Sequence, residues 1–371
     1  MDINYSVLKE DEKAIFEMRN LYQKYGYTQY KMSKFEEYDL YVRNKDFLVS
    51  DNIITFTDTN GKLMALKPDV TLSIIKNSKD LADSVQKVYY NENVYRVSKG
   101  THSFKEIMQV GLECIGLIDD YCIYEVLMLA AKSLEGISRD YILDISHMGI
   151  VSSVIDSLNL SDESREEILK CIGEKNINAI SSICKKEEVN GEKLLKLISN
   201  YGSIDKMKPI LSEVKNDVNE KDVNELIKIA EMLDCCGLGD RVRIDFSVIN
   251  DMNYYNGFVF KGFIKGIASG VLSGGQYDKL MKKMGKKSKA IGFAVYLDML
   301  ERLNETEKPY DVDAVILYDE KSDIKALDNA VRLLAGNGKS VMVQRNIPEK
   351  IKYKQLLRLR EKGVEIVENN A

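Results

Sequence analysis

A chain of 371 residues that is 44% hydrophobic and 30% charged exceeds one ordinary core and predicts two or three domains of a globular protein. No apolar run approaches the roughly 20 residues of a bilayer span. The opening Met1-Asp-Ile-Asn-Tyr5 lacks the basic-then-apolar pattern of an export signal, so a cytoplasmic location is expected. A net charge of −5, six scattered cysteines without a CxxC pair and two histidines, His102 and His147, argue against a dedicated nucleic-acid binder, a disulfide framework and a zinc motif. No metal and no cofactor is expected.

Apolar residues at helical spacing (Ile15, Met18, Leu21, Tyr22) predict a helix within 6–30 that stops at Gly26, with a strand after it. Residues 47–66 hold β-rich runs, and Asn60-Gly61 between Ile53–Thr57 and Leu63–Leu66 is a hairpin signal. A helix over 69–78 opens at Asp69 as its cap. Strands follow at 85–96 and 107–115, with a polar loop at 98–103 between them. Asp119-Asp120 caps a helix through Leu134, and 141–146 reads as a strand. From Ile150 to Asp234 the pattern is helical. Val223, Leu226, Ile227, Ala230 and Leu233 make one stripe, and Gly237 is its C′ residue. Val242, Ile244, Phe246 and Val248 then alternate with polar residues, as in a half-buried strand. Strands continue to Leu272. Helices are expected at 275–284 and 290–303, with Gly274-Gly275 as a tight turn into the first of them. Beyond Pro309 the expected order is strand 312–318, helix 323–336, strand 340–345, helix 349–362 and strand 364–367. That alternation suggests a small α/β domain with a parallel sheet.

Four segments, in this order, resemble histidyl-tRNA synthetase, a class II aminoacyl-tRNA synthetase. Leu66-Lys-Pro-Asp-Val-Thr71 is similar to that family's Arg-Pro-Glu-x-Thr. Val88–Arg96 and Gln109-Val-Gly-Leu-Glu-Cys-Ile-Gly116 resemble class II motif 2 on either side of its loop. Asn250-Asp-Met-Asn-Tyr-Tyr-Asn-Gly257 is similar to the histidine-specific Arg-Gly-Leu-Asp-Tyr-Tyr-x-Gly. Gly274-Gly-Gln-Tyr-Asp278, followed by Ile291-Gly-Phe-Ala294, resembles the approach to motif 3. Each motif alone is weak; four in order are not. The resemblance covers roughly residues 1–305, and the tail resembles a shortened anticodon-binding domain. It implies an α+β fold: a class II synthetase-like antiparallel sheet core (1–149 and 236–305), a helical insertion (150–235) and a small C-terminal α/β domain (309–371).

Free histidine presents an ammonium, a carboxylate and an imidazole, and burying them requires converging partners. The resemblance implies that Asp69, Thr71 and Gln109 hold the amino group and that Glu113 and Tyr255 read the imidazole. Arg96 and Tyr254 complete the expected histidine-binding set. The residues alone leave alternatives open: Asp69 as a helix cap, Arg96 in a structural ion pair, Gln109 and Glu113 on an exposed sheet face, Tyr254 as a packing aromatic. His147 reads as structural, and Lys282–Lys289 as a solvated loop.

Amino-acid activation needs pre-placed cations around the reacting phosphate. Of three family arginines, the resemblance retains Arg96, while Asn250 and Met299 stand in place of the others. Ser98 replaces a glutamate, and Lys105 a loop arginine. One lost contact of this kind costs about 10²–10³ in rate, so no catalytic residue is expected. Recognition kept and nucleotide chemistry lost resembles a paralogous family, the regulatory subunits of ATP phosphoribosyltransferase. That resemblance implies a non-catalytic subunit of histidine biosynthesis that binds L-histidine for feedback inhibition and activates the short catalytic subunit. A homodimer within a hetero-oligomer is expected, with neither membrane nor nucleic acid as partner. The rivals are a divergent active synthetase and a histidine- or tRNA-sensing module; the lost arginines, the short tail and the acidic balance weigh against them.

Overall fold

The computed structural model describes residues 8–44, 53–80, 83–97, 103–215, 218–249, 255–303, 309–360 and 363–370. The chain divides into two units, Met1–Leu303 and Asn304–Ala371.

In the first unit, α1 (Glu10–Lys24) starts with three acidic residues, where the helix dipole favours them, and buries the i, i+4, i+8 row Ala14, Met18, Tyr22. After β1 (Thr28–Gln29) come β2 (Phe35–Glu37), α2 (Tyr38–Val42), β3 (Thr55–Thr57) and β4 (Leu63–Leu66). β3 and β4 pair antiparallel as the expected hairpin, with Gly61 at φ 79°, a conformation that favours glycine. The expected strand signal at 47–52 lies outside the described residues. α3 (Thr71–Asn77) begins two residues later than the composition suggests, yet Asp69 Oδ1 still accepts from Leu72 N at 3.0 Å and so caps it.

The long strands β5 (Val85–Val97) and β6 (Phe104–Gly116) lead into α4 (Asp120–Ile137), whose N-cap Asp119 accepts from Cys122 N. α4 buries most of its surface, including Val126, Leu127, Leu129, Ala130 and Leu134, in the main core. β7 (Tyr141–His147) then opens into the inserted helices α5 (Met148–Asp156), α6 (Asp162–Gly173), α7 (Ile177–Lys186) and α8 (Glu192–Ser199). The insertion is not helical throughout, because β8 (Tyr201–Gly202) pairs with the edge of the main sheet. α9 (Ile204–Val214) and α10 (Glu220–Leu233) complete it. Gly237, at φ 81°, turns the chain back toward β9 (Val242–Asp245), β10 (Phe258–Ile264), β11 (Leu272–Gln276), α11 (Asp278–Lys283) and β12 (Lys289–Tyr296). The main sheet runs β1-β5-β6-β12-β11-β10-β7-β9-β8. It is antiparallel except at β1–β5 and β7–β9.

Two expectations are overturned here. Residues 290–303 are not a helix: 289–296 are a central strand, and Leu297–Leu303 form a 3-10 turn. The run Ala290-Ile-Gly-Phe-Ala-Val295 is apolar because both faces of a central strand are covered, and a short apolar run of that kind has no period to separate strand from helix. Gly274 and Gly275 are likewise not a turn but lie inside β11, and the helix after them starts only at Asp278.

The second unit is a four-stranded sheet of β13 (Val312–Leu317), β14 (Val341–Gln344), β15 (Tyr353–Arg360) and β16 (Gly363–Asn369), in the order β14-β13-β15-β16. One helix, α12 (Ile324–Gly336), packs Leu327 with Ala314, Ile316, Leu357 and Leu359. The helix expected at 349–362 is β15. Its lysine, leucine and arginine residues favour helix intrinsically, but pairing with β13 on one side and β16 on the other overrides that preference. The sheet is therefore mixed: β13 is parallel to both neighbours and β16 is antiparallel to β15. Among the described residues, no helix is long and apolar enough to cross a membrane.

Candidate functional site

Four adjacent strands, β5, β6, β12 and β11, build the floor of the site. Residues paired directly across strands share one face. The register therefore sets Val88, Glu113, Gly292 and Gly275 in one row and Tyr90, Gly111 and Ala294 in the next. Gln109 and Tyr296 fall in a third row. Glycines make this face hollow. A Cβ on Gly292 would lie 1.7 Å from Glu113 Oε2, on Gly111 2.4 Å from the Tyr90 hydroxyl, and on Gly275 2.5 Å from the Tyr255 ring. The absent side chains are the space that the carboxylate, the phenol and the second ring occupy.

Glu113 is the centre of the cluster. It is 2% exposed, and both carboxylate oxygens are held. Thr71 Oγ1 donates to Oε1 at 2.8 Å and Tyr277 Oη to Oε2 at 2.5 Å. Burial pushes its pKa up to about 8, against the lowering effect of those two hydroxyls, and the nearby Asp69 carboxylate adds to the rise. Asp69 is raised as well, first by burial, while the hydrogen bond from Leu72 N and the Arg96 charge act in the opposite direction. The Tyr90 phenol is raised well above its ordinary value by burial and then by the charges of Glu113, Asp69, Tyr296 and Tyr255. Buried polar groups of both kinds thus converge within reach of one another's fields.

Arg96 donates from Nε to the Pro68 carbonyl at 3.0 Å and lowers both the Asp69 and the Tyr296 pKa through its charge. It is half-buried at the rim. Beneath it, Lys67 is fully buried and pairs with Glu92 at 2.6 Å, joining the Lys67–Asp69 turn to β5. Such a pair holds its geometry strongly once formed, because neither charge can be left alone.

Of the expected histidine-binding residues, Asp69, Thr71, Arg96, Gln109, Glu113 and Tyr255 gather around this face. Gln109 is 3% exposed, so it and Glu113 do not lie on an exposed sheet face. Asp69 is both a cap and a member of the cluster. Tyr254, Asn250, Ser98 and His102 lie outside the described residues. Lys105 is on β6 rather than in the loop, exposed and directly opposite Arg96. Met299 packs against the main core, with its sulfur 3.5 Å from Ser269 Oγ.

Sequence reasoning missed Tyr90, Tyr277 and Tyr296. Tyr90 and Tyr277 fall inside the segments that resemble the family motifs, but at positions with no evident role. Tyr296 ends the central strand β12, in a stretch whose apolar run has no period to reveal its face.

A family model described as histidyl-tRNA synthetase matches residues 2–300. The chain is 27% identical over 337 residues to an ATP phosphoribosyltransferase regulatory subunit of Clostridium kluyveri, a match covering 87% of this chain and 86% of that one. Its fold is similar to a crystal structure from Bacillus halodurans described as an ATP phosphoribosyltransferase regulatory subunit/histidyl-tRNA synthetase. There the TM-score is 0.72 at 23% identity, covering 93% of this chain and 90% of that one. A chain of the ATP phosphoribosyl transferase complex of Thermotoga maritima matches with a TM-score of 0.63 at 19% identity, covering 80% of this chain and 98% of that one.

Proposed function

The chain belongs to the histidyl-tRNA synthetase family, and from that premise we propose that it is the non-catalytic regulatory subunit of an ATP phosphoribosyltransferase. It binds L-histidine on the face built around Glu113 and activates a separate short catalytic subunit. The observation that carries the reading is the asymmetry of the site. The buried acceptors and hydroxyls suited to an amino acid come together, while among the described residues the rim holds one arginine, Arg96, whose Nε is already bound to a carbonyl. Adenylation places negative charge on a phosphate and calls for several aimed cations. The name of the Clostridium kluyveri relative supports the same reading.

In this reading Asp69, Thr71 and Gln109 receive the ammonium, and Glu113 and Tyr255 contact the imidazole. Arg96 and Tyr254 complete the histidine-binding set. The residues are divided as a core (1–149 and 236–305), a helical insertion (150–235) and a degenerate tail domain (309–371). The subunit works in the cytoplasm as a homodimer within the larger complex. Histidine inhibits by binding one of two shared conformational states better than the other.

The test combines calorimetric titration with L-histidine, pyrophosphate exchange with histidine and ATP, and activity of a short ATP phosphoribosyltransferase subunit with and without the chain. Histidine binding, no exchange and activation of the added subunit are expected. Robust exchange would return the chain to the active synthetases.

A further inference from the structure

Away from this face, β7 ends at His147, where the chain enters the inserted helices. The residue is 3% exposed, and the Phe258 ring stands nearly perpendicular to its imidazole at 5.0 Å between centroids. Two carboxylates face it from α10: Asp222 and Glu225, three residues apart and so on one side of the helix. His147 Nε2 lies 3.4 Å from Glu225 Oε2, and one ligand atom from each of the three residues falls within 4.8 Å of the other two. Gly149 makes the approach feasible, since a Cβ there would sit 2.2 Å from Asp222 Oδ2 and 3.0 Å from the imidazole Cε1.

We propose that His147, Asp222 and Glu225 bind one divalent transition-metal ion of the zinc class, pinning the returning helix of the insertion to the end of a central strand. Two observations point to a cation. Among the described residues, neither carboxylate forms an ion pair with a lysine or arginine; Lys228, three residues beyond Glu225 on α10, feels the Glu225 charge but is paired with Asp120 at 2.6 Å. For the His147–Glu225 pair, the 3.4 Å between Nε2 and Oε2 matches the ligand-to-ligand spacing of roughly 3.4 Å that bonds of about 2.0–2.1 Å impose on a tetrahedral zinc, and the Asp222 carboxylate, within 4.8 Å of both, closes on the ion by side-chain rotation. One nitrogen and two carboxylate oxygens suit zinc, cobalt or manganese rather than calcium, which takes six to eight oxygens. The remaining position falls to water.

The test uses the full chain, stripped with a chelator and dialysed, then titrated with Co²⁺ and with Zn²⁺. One ion per chain is expected, with cobalt ligand-field absorption that zinc abolishes by displacement, and a higher melting temperature in zinc. Asp222→Asn and Glu225→Gln are each expected to weaken binding at least tenfold. Both residues are half-buried, so their folding is checked independently of the more demanding His147→Asn. Glu163→Gln, on the exposed side of α6, is expected to bind as the parent does. Absence of stoichiometric binding, or binding unchanged in both carboxamide variants, would overturn the site.

Discussion

Replacing Glu113 with glutamine separates the electrostatics of the site from its shape. An unfolded glutamate titrates near 4.3, whereas burial pushes Glu113 up to about 8 in the fold. Between those values the folded chain holds a proton that the unfolded chain has released. Stability is therefore fully present below the lower value and lost as pH rises through the upper one. A displacement of that size corresponds to roughly 5 kcal/mol once the window is crossed. Glutamine has the shape of the protonated acid and does not titrate. The Thr71 and Tyr277 hydroxyls can still bond to it, with one of them turning to accept from the amide. Urea unfolding of both chains across this range reads the difference. At about pH 5 the variant is expected to lie within about 1 kcal/mol of the parent. Above about pH 8 it is expected to be the more stable by several kcal/mol, because only the parent must ionise a buried carboxyl. Parallel stability curves would refute the reasoning and place Glu113 in contact with water.

Removing the Tyr277 hydroxyl as Tyr277→Phe leaves Glu113 Oε2 without its donor and should cost about 1.5–3 kcal/mol of whatever depends on that carboxylate. Calorimetry should show histidine affinity falling about tenfold or more, with the far-ultraviolet spectrum unchanged. Gly292→Ala sets a methyl group where the Glu113 carboxylate lies. It is expected to abolish histidine binding and to lower stability by about 1–3 kcal/mol in thermal unfolding. Lys67→Met removes a fully buried ammonium and strands Glu92, so denaturant unfolding should show a loss of about 3 kcal/mol. The paired change Lys67→Met with Glu92→Leu should recover most of it.

Much of the core was legible in the chain because its signals are local. The tyrosine- and valine-rich β5 segment, the Asn60-Gly61 hairpin and the stripe along α10 each follow from local composition, short-range periodicity and turn chemistry. The spacing of Gln109, Gly111 and Glu113 already placed them on one face of a strand. What tertiary structure alone decided is what depends on residues distant in sequence. Whether Ala290–Val295 is strand or helix is settled by its being flanked by β6 and β11, not by its composition. The same holds for β15, where two neighbouring strands override strong helix formers. The hollow that admits Glu113 is made by Gly292, a strand away, and its second hydroxyl comes from Tyr277, 164 residues further on. The His147 cluster likewise joins the end of β7 to a helix more than seventy residues later. Periodicity reports which face of an element is buried; only the register between elements reports which side chains meet there.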